Sequence, residues 1–360
     1  MTGEADRSLG GKGGLSPGSP ILVVGPSWVG DMVMAQSLFM RLKQLNPGAA
    51  IDVLAPGWSL PLIARMPEVR AGIDMPLGHG RLGLGERRRI GLALRRHGYT
   101  RAIVLPGSWK SALVPFFARI PRRSGWRGEM RFGLLNDLRV LDRTVLDTTV
   151  RQFVALAEDA APSTVPPVPP PRLRVDPDQA LRRVRELKLS EGPALALMPG
   201  AEYGPAKQWP AAHFAAVARL AGAEGRQSWI FGSAKERALG DAIVAESQGQ
   251  AVNLCGQTSL PDVVDLVARS GAAVSNDSGL MHVAAASGAA VAAVYGSSDP
   301  RHTPPLTPRA AVHWLHLSCS PCFQRTCPLT HYHCLRQIAP ETVHGSLAPL
   351  LSGRAAPVLK

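Results

Sequence analysis

Two short turns constrain this chain more than any other feature: Gly25-Pro26-Ser27-Trp28-Val29-Gly30-Asp31 near the start, and Asn276-Asp277-Ser278-Gly279-Leu280-Met281-His282 far downstream. Each follows an apolar run of strand character, Ile21 to Val24 and Ala272 to Val274, and each opens a segment with helical periodicity. At such a strand-to-helix turn the first backbone N–H groups of the helix face outward and favour an anion. Two of them, about 250 residues apart, imply two nucleotide-type halves sharing one cleft. The expectation is an α/β chain whose cleft takes a phosphorylated donor.

Alternation of strand and helix runs through both halves. In the first, strands are expected at Ile21–Gly25, Ile51–Ala55 and Ala102–Leu105, with helices over Met32–Leu45 and Lys110–Arg119. That order implies a parallel sheet. Residues 161–171 follow with six prolines, whose fixed φ and missing N–H donors exclude helix or central strand, so they read as a connector. In the second half, strands are expected at Ala194–Met198, Trp229–Gly232, Val252–Leu254, Ala272–Ser275 and Ala290–Tyr295. Helices are expected at His213–Ala223, Glu236–Glu246, Leu260–Ser270 and Leu280–Ala286. Ser259 with Asp262 three residues on forms an approximate capping box before Leu260–Ser270. The chain thus divides into a Gly- and Ser-rich tail (1–20) of mobile character, a doubly wound domain (21–160), the connector, a second doubly wound domain (172–340), and a closing segment (341–360). Within that last segment Glu341–Leu351 is expected to form a helix packing back on the first domain. No short repeat of fixed period is present, which excludes a solenoid.

Composition narrows the partners. With 360 residues, 45 % of them hydrophobic, the chain can bury two ordinary cores. No stretch reads as a secretory signal or a spanning helix, so a cytoplasmic location is expected. The net charge is +13, and residues 21–160 carry most of it, with 20 Lys and Arg against 11 Asp and Glu. The clusters Arg87-Arg88-Arg89, Arg95-Arg96 and Arg122-Arg123 read either as a solvated face or as a surface for an anionic partner. Aromatic residues make up only 5 % and do not interleave with the arginines, which argues against a nucleic-acid stacking surface. Gly25 to Gly30 lacks the glycine spacing of a dinucleotide turn, which argues against a nicotinamide-dependent oxidoreductase.

Six separated blocks, in order and spacing, resemble the lipopolysaccharide heptosyltransferase II family, the ADP-heptose-dependent transferases of glycosyltransferase family 9. They are Gly25–Met32, Met75–Gly80, Lys110–Ala118, Gly125–Asp137, Pro199–Lys207 and Asn276–His282, and the likeness runs from about Ile21 to His302. It implies a glycosyltransferase-B fold, with two Rossmann-like domains facing across a cleft, the first binding acceptor and the second ADP-heptose. It further implies inverting transfer of heptose from ADP-heptose to the first heptose of the lipopolysaccharide inner core, without a catalytic metal. A lipid-anchored acceptor implies peripheral attachment at the inner face of the cytoplasmic membrane. Two other readings stand beside it: a transferase of the same fold acting on a different core acceptor, and a noncatalytic anion-binding module. The chain departs from the family at Gly107, where Asn is usual, and at Trp109.

Residue chemistry can be set beside that likeness. Asp31 at the mouth of the first turn is, taken alone, a helix-start carboxylate; the resemblance makes it the base that deprotonates the acceptor hydroxyl. Lys207 follows a Gly204-Pro205-Ala206 turn and is otherwise a loop lysine; the resemblance sets its ammonium against the departing diphosphate. Asn276, Asp277, Ser278, Gly279 and His282 form the expected donor-binding turn, with N–H groups of Ser278 and Gly279 on the diphosphate, and the resemblance implies that Asp277 accepts from sugar hydroxyls. Lys110, Arg127 and Arg131 are expected to face the anionic acceptor. Lys235 or Glu236 is expected at the nucleoside.

The cysteines stand apart from these blocks. Cys319-x2-Cys322-x4-Cys327-x6-Cys334, with His331 and His333 nearby, has the thiol density of a structural zinc or iron–sulfur site, and equally that of free thiols in a loop. Cys255 follows a strand and is expected to be buried.

Overall fold

The computed structural model describes residues 18–78 and 80–352. The expected tail therefore lies outside the described residues up to Pro17, as do His79 of the Met75–Gly80 block and residues 353–360. Strands are β1 (Pro20–Val24), β2 (Ala50–Ala55), β3 (Val69–Asp74), β4 (Arg101–Val104), β5 (Arg122–Trp126), β6 (Asp137–Arg139), β7 (Ala194–Met198), β8 (Gln227–Ile230), β9 (Ala251–Asn253), β10 (Ala272–Asn276), β11 (Ala290–Val294) and β12 (Ala310–His313). Helices are α1 (Val29–Leu45), α2 (Leu60–Ile63), α3 (Leu84–Leu94), α4 (Leu113–Phe117), α5 (Thr149–Ala155), α6 (Pro177–Glu186), α7 (Ala211–Ala223), α8 (Arg237–Glu246), α9 (Leu260–Ser270), α10 (Gly279–Ala286), α11 (His333–Arg336), α12 (Pro340–Gly345) and α13 (Leu347–Leu351).

The strands form two parallel six-stranded sheets, ordered β3-β2-β1-β4-β5-β6 and β12-β11-β10-β7-β8-β9. Renumbered within its own half, the second order is the first one reversed in listing, so both are doubly wound with the strand order turning at one point. That switch falls between β1 and β4 in the first lobe and between β7 and β10 in the second. Ligands bind beyond the carboxyl ends of such strands. The segments leaving β1, β7 and β10 are those carrying Asp31, Lys207 and Asp277.

Strands at the second-lobe switch point are buried on both faces, as parallel sheets require: β7 (ALALM) and β10 (AAVSN) are buried at every position. One hydrophobic cluster continues from the first lobe into the second, joining Val33 and Phe39 of α1 to Met281 and Val283 of α10. The outer face of each sheet has its own cluster. Helix α9 ends where the sequence sets it: Ser259 and Asp262 complete the capping box, and Gly271 closes the helix at φ 72°.

Residues 161–171 form neither helix nor strand. Just after them the chain is fastened to both lobes. Gln36 of α1 pairs with the backbone of Arg172 in both directions, and Leu173 N donates to Ala286 O of α10. Arg65 reaches from the first lobe to the fully buried Asp265 of α9 in a two-point ion pair, at 2.9 and 2.6 Å.

The closing segment corrects one expectation. It forms α12 and α13 rather than one helix, broken at Ser346, and it packs on the second domain, not the first. Val343, Leu347 and Leu350 join the cluster of Trp209 and Phe214. The helix expected over Lys110–Arg119 is a 3-10 turn (Trp109–Ala112) followed by the short α4.

Replacing Arg65 with Ala leaves a buried carboxylate whose remaining donor is the Asp176 N–H. The expected cost is roughly 3 kcal/mol, read as a lower urea midpoint for unfolding. An unchanged midpoint would show the pair to be idle.

Candidate active site

The N-terminal turns of α1 and α10 meet across the two lobes with no room between them. A Cβ on Gly30 would stand 2.7 Å from the His282 ring, and one on Gly279 would stand 2.8 Å from Val29 Cβ. These two glycines are therefore required by close approach, not by backbone angle. Beside the contact opens a cleft of about 760 Å3, within the range of small-molecule sites. The first lobe lines it with Ser27, Trp28, Asp31 and Trp58, and the second supplies most of the rest.

Asp31 sits in the first turn of α1, half-buried, and its carboxylate makes no hydrogen bond among the described residues. Burial pushes its pKa up to about 6, and the charge of Lys207 acts in the opposite direction. A carboxylate so raised and so unpaired is poised to take a proton near neutral pH.

Lys207 ends a short 3-10 turn after β7. Its Nζ donates to Asp277 Oδ2 at 2.5 Å and lies 5.0 Å from the centre of the Tyr203 ring. Asp277 is nearly buried and also accepts from Ser298 Oγ at 2.5 Å. The imidazole of His282 lies one turn into α10; burial pushes its pKa down to about 4, leaving the ring neutral at neutral pH. Its Nδ1 has no partner among the described residues although the ring lines the cleft. Ser278 is the N-cap of α10 and leaves the first N–H groups of the helix open to the cleft.

The cleft thus gathers Asp31, Lys207, Asp277, Ser278, Gly279 and His282. Asn276 is not among its walls. It is fully buried, accepts from Trp209 N and donates to Pro199 O, and so clips the β7 and β10 ends together rather than touching a ligand. Arg131 is a second correction. It is 1 % exposed, and its guanidinium donates to the carbonyls of Pro106 and Trp126, so it holds the β4 and β5 ends and does not face an acceptor. Arg127 is exposed and stacks over Phe132 at 5.9 Å, while Lys110 is half-buried; both lie past the carboxyl ends of first-lobe strands, outside the cleft walls.

Of the nucleoside pair, Glu236 lines the cleft and Lys235 does not. Glu236 Oε2 accepts from Ser233 N at 2.6 Å, and its other oxygen crowds Gly200, where any Cβ would collide. Sequence reasoning missed Trp58, Tyr203, Thr258 and Thr303 as cleft residues. Trp58 and Thr258 follow β2 and β9, so the rule that doubly wound sheets bind ligands past their strand ends was the signal available.

The raised Asp31 pKa carries a stability prediction. Because the folded value lies above the unfolded one, its contribution is present below about pH 4 and is lost as pH rises through 6. Asp31→Asn, which cannot ionise, should therefore melt higher than the parent at pH 8, by roughly 1–3 kcal/mol of stability, and match it near pH 4. Equal melting at both pH values would contradict the desolvation of this carboxylate.

Comparison with known proteins places these features in a family. The model of glycosyltransferase family 9 (heptosyltransferase) matches residues 87–333. The chain is 52 % identical over 302 residues to a protein named lipopolysaccharide heptosyltransferase 2 from Salmonella typhimurium, covering 81 % of this chain and 87 % of that protein. It is 48 % identical over 345 residues to the protein of the same name from Escherichia coli, covering 93 % and 95 %. The solved structure of Escherichia coli ADP-heptose lps heptosyltransferase II matches with a TM-score of 0.83 at 44 % identity, over 93 % of this chain and 99 % of that one.

Proposed function

The chain belongs to glycosyltransferase family 9, and from that premise we propose that it transfers heptose from ADP-heptose to the first heptose of a lipopolysaccharide inner core, inverting the anomeric centre. One observation carries the reading: an unpaired, desolvated carboxylate from one lobe and a lysine–aspartate pair from the other address a single cleft beside a helix N-terminus.

In this reading Asp31 accepts the proton of the attacking hydroxyl as that oxygen bonds to the anomeric carbon. The bond from that carbon to the diphosphate breaks on the opposite face, through a transition state of oxocarbenium character. Negative charge then builds on the leaving ADP. Lys207 and the open N–H groups at the start of α10 lie where they neutralise it without reorganising. Asp277, held by Lys207 and Ser298, is placed to accept from sugar hydroxyls, and the uncharged His282 donates or accepts without repelling the cationic sugar. Glu236 Oε1, without a hydrogen-bond partner among the described residues, suits the hydroxyls of a ribose.

The acceptor enters past the first-lobe strands, where Arg127 and Lys110 meet its anionic groups. Exposed Met130 and Phe132 beside Arg127 suit an acceptor held at the inner face of the cytoplasmic membrane, so attachment there is peripheral in this reading. No described helix is long and apolar enough to cross a membrane.

Mass analysis of products from ADP-heptose and a core acceptor bearing one heptose tests the reaction. Asp31→Asn should lower kcat at least about a thousandfold while leaving ADP binding near that of the parent. Lys207→Gln should lower kcat about a hundredfold to a thousandfold and weaken ADP binding as well. The parent's kcat/KM should fall as pH drops through about 6, as the base becomes protonated. Near-normal turnover by Asp31→Asn would reject the role of the carboxylate.

A further inference from the structure

Between β12 and α11 the chain runs from Trp314 to Tyr332 without helix or strand. Its apolar anchors are few: Trp314, Leu317 and Tyr332 pack partly buried against the cores, whereas Leu315, Phe323 and Leu329 are exposed. Its backbone is strained nonetheless. His316, Phe323, Thr330 and Tyr332 all adopt positive φ, between 50° and 59°, without being glycine. Conformations of this kind persist only where the surroundings over-determine them, and a long structureless segment in a compact domain needs a tether.

Four thiols converge where the tether is needed. Cys319, Cys322, Cys327 and Cys334 line one cavity of about 20 Å3, room for a single water-sized occupant. None is joined in a disulfide. As the side chains stand, the described residues hold no group of three His, Cys, Asp or Glu in metal-binding geometry. An ion bound there would draw the four sulfurs closer than they stand, and the χ1 torsion of each cysteine is the freedom that the chain offers for it.

This segment also supports the cleft. Arg325 O accepts from Ala206 N at 3.0 Å, next to Lys207, and Phe323 O accepts from Tyr203 OH at 2.6 Å. The Arg325 guanidinium lies 5.0 Å from the Tyr203 ring, the same ring that Lys207 approaches. Gly204 can have no side chain because Arg325 O would be 2.6 Å from its Cβ.

We propose that Cys319, Cys322, Cys327 and Cys334 bind one soft transition-metal cation, zinc by first choice, which staples this segment against the loop that carries Lys207. Each thiol gives its proton to solvent as its sulfur bonds the ion, and four thiolates complete a tetrahedral shell at about 2.3 Å per Zn–S bond. The ion stands outside the reaction and fixes the position of the diphosphate lysine. Only that last clause rests on the transferase reading; metal content is independent of it.

The test is elemental analysis of the full chain, purified without chelator from medium containing zinc and iron. About one equivalent of metal is expected, with thiolate-to-metal charge-transfer bands of a tetrahedral site after exchange with cobalt(II). Iron in place of zinc on the same four sulfurs supports the site equally. The double variant C322S/C327S should lose the metal, whereas C255S, at a buried thiol outside the cavity, should keep it. Stripping the ion from the parent should weaken ADP binding roughly tenfold or more, restored by added zinc. Less than a tenth of an equivalent with four freely reactive thiols, or disulfides among the four, would overturn the site. Unchanged ADP affinity after stripping would overturn the staple.

Discussion

The missing side chains at Gly30 and Gly279 are the constraint on which the rest depends. Because neither residue carries a Cβ, the first turns of α1 and α10 touch, and two separately wound sheets share one core and one cleft. The same contact desolvates what lies around it. Asp31 is pushed toward neutral pKa and His282 is kept uncharged, so packing and acid–base chemistry have a single physical origin here. The Arg65–Asp265 pair and the clasp of Gln36 on Arg172 hold the lobes together from the other side of the connector.

Much of this was legible in the sequence, and the legible parts share a cause. Strands β1, β7 and β10 at the switch points are mostly apolar runs, and the turns after β1 and β10 carry glycine, serine and aspartate because helix starts favour them, so these strands and those two turns could be read directly. The capping box of α9 is a local interaction and was equally readable. Strand β3 (VRAGID) and strand β5 (RRSGW) were not, since charged and glycine residues break up any apolar run in them and pairing with β2 and β4 makes them strands.

Side-chain direction was the harder problem. Arg131 and Arg127 lie four residues apart in one basic stretch, yet one is swallowed by carbonyls of its own lobe and the other is exposed. Asn276 and Asp277 are adjacent, but strand alternation turns the first into the sheet and leaves the second at the cleft. The C-terminal helices were assigned to the wrong lobe because an amphipathic segment states that it packs, not against what. Here Trp209 and Phe214 of the second lobe offered the apolar surface. In each case the deciding partner is distant in sequence, and no local pattern encodes it.

The central claim is that Asp31 and Lys207, from different lobes, act on one ligand in one step. A double-mutant cycle on kcat/KM, using Asp31→Asn, Lys207→Gln and the two combined, measures this directly. Groups acting in the same transition state are expected to be strongly non-additive, with the double variant little worse than the poorer single variant. Losses that simply multiply would mean that the two residues work independently, and the shared cleft would no longer explain the chemistry.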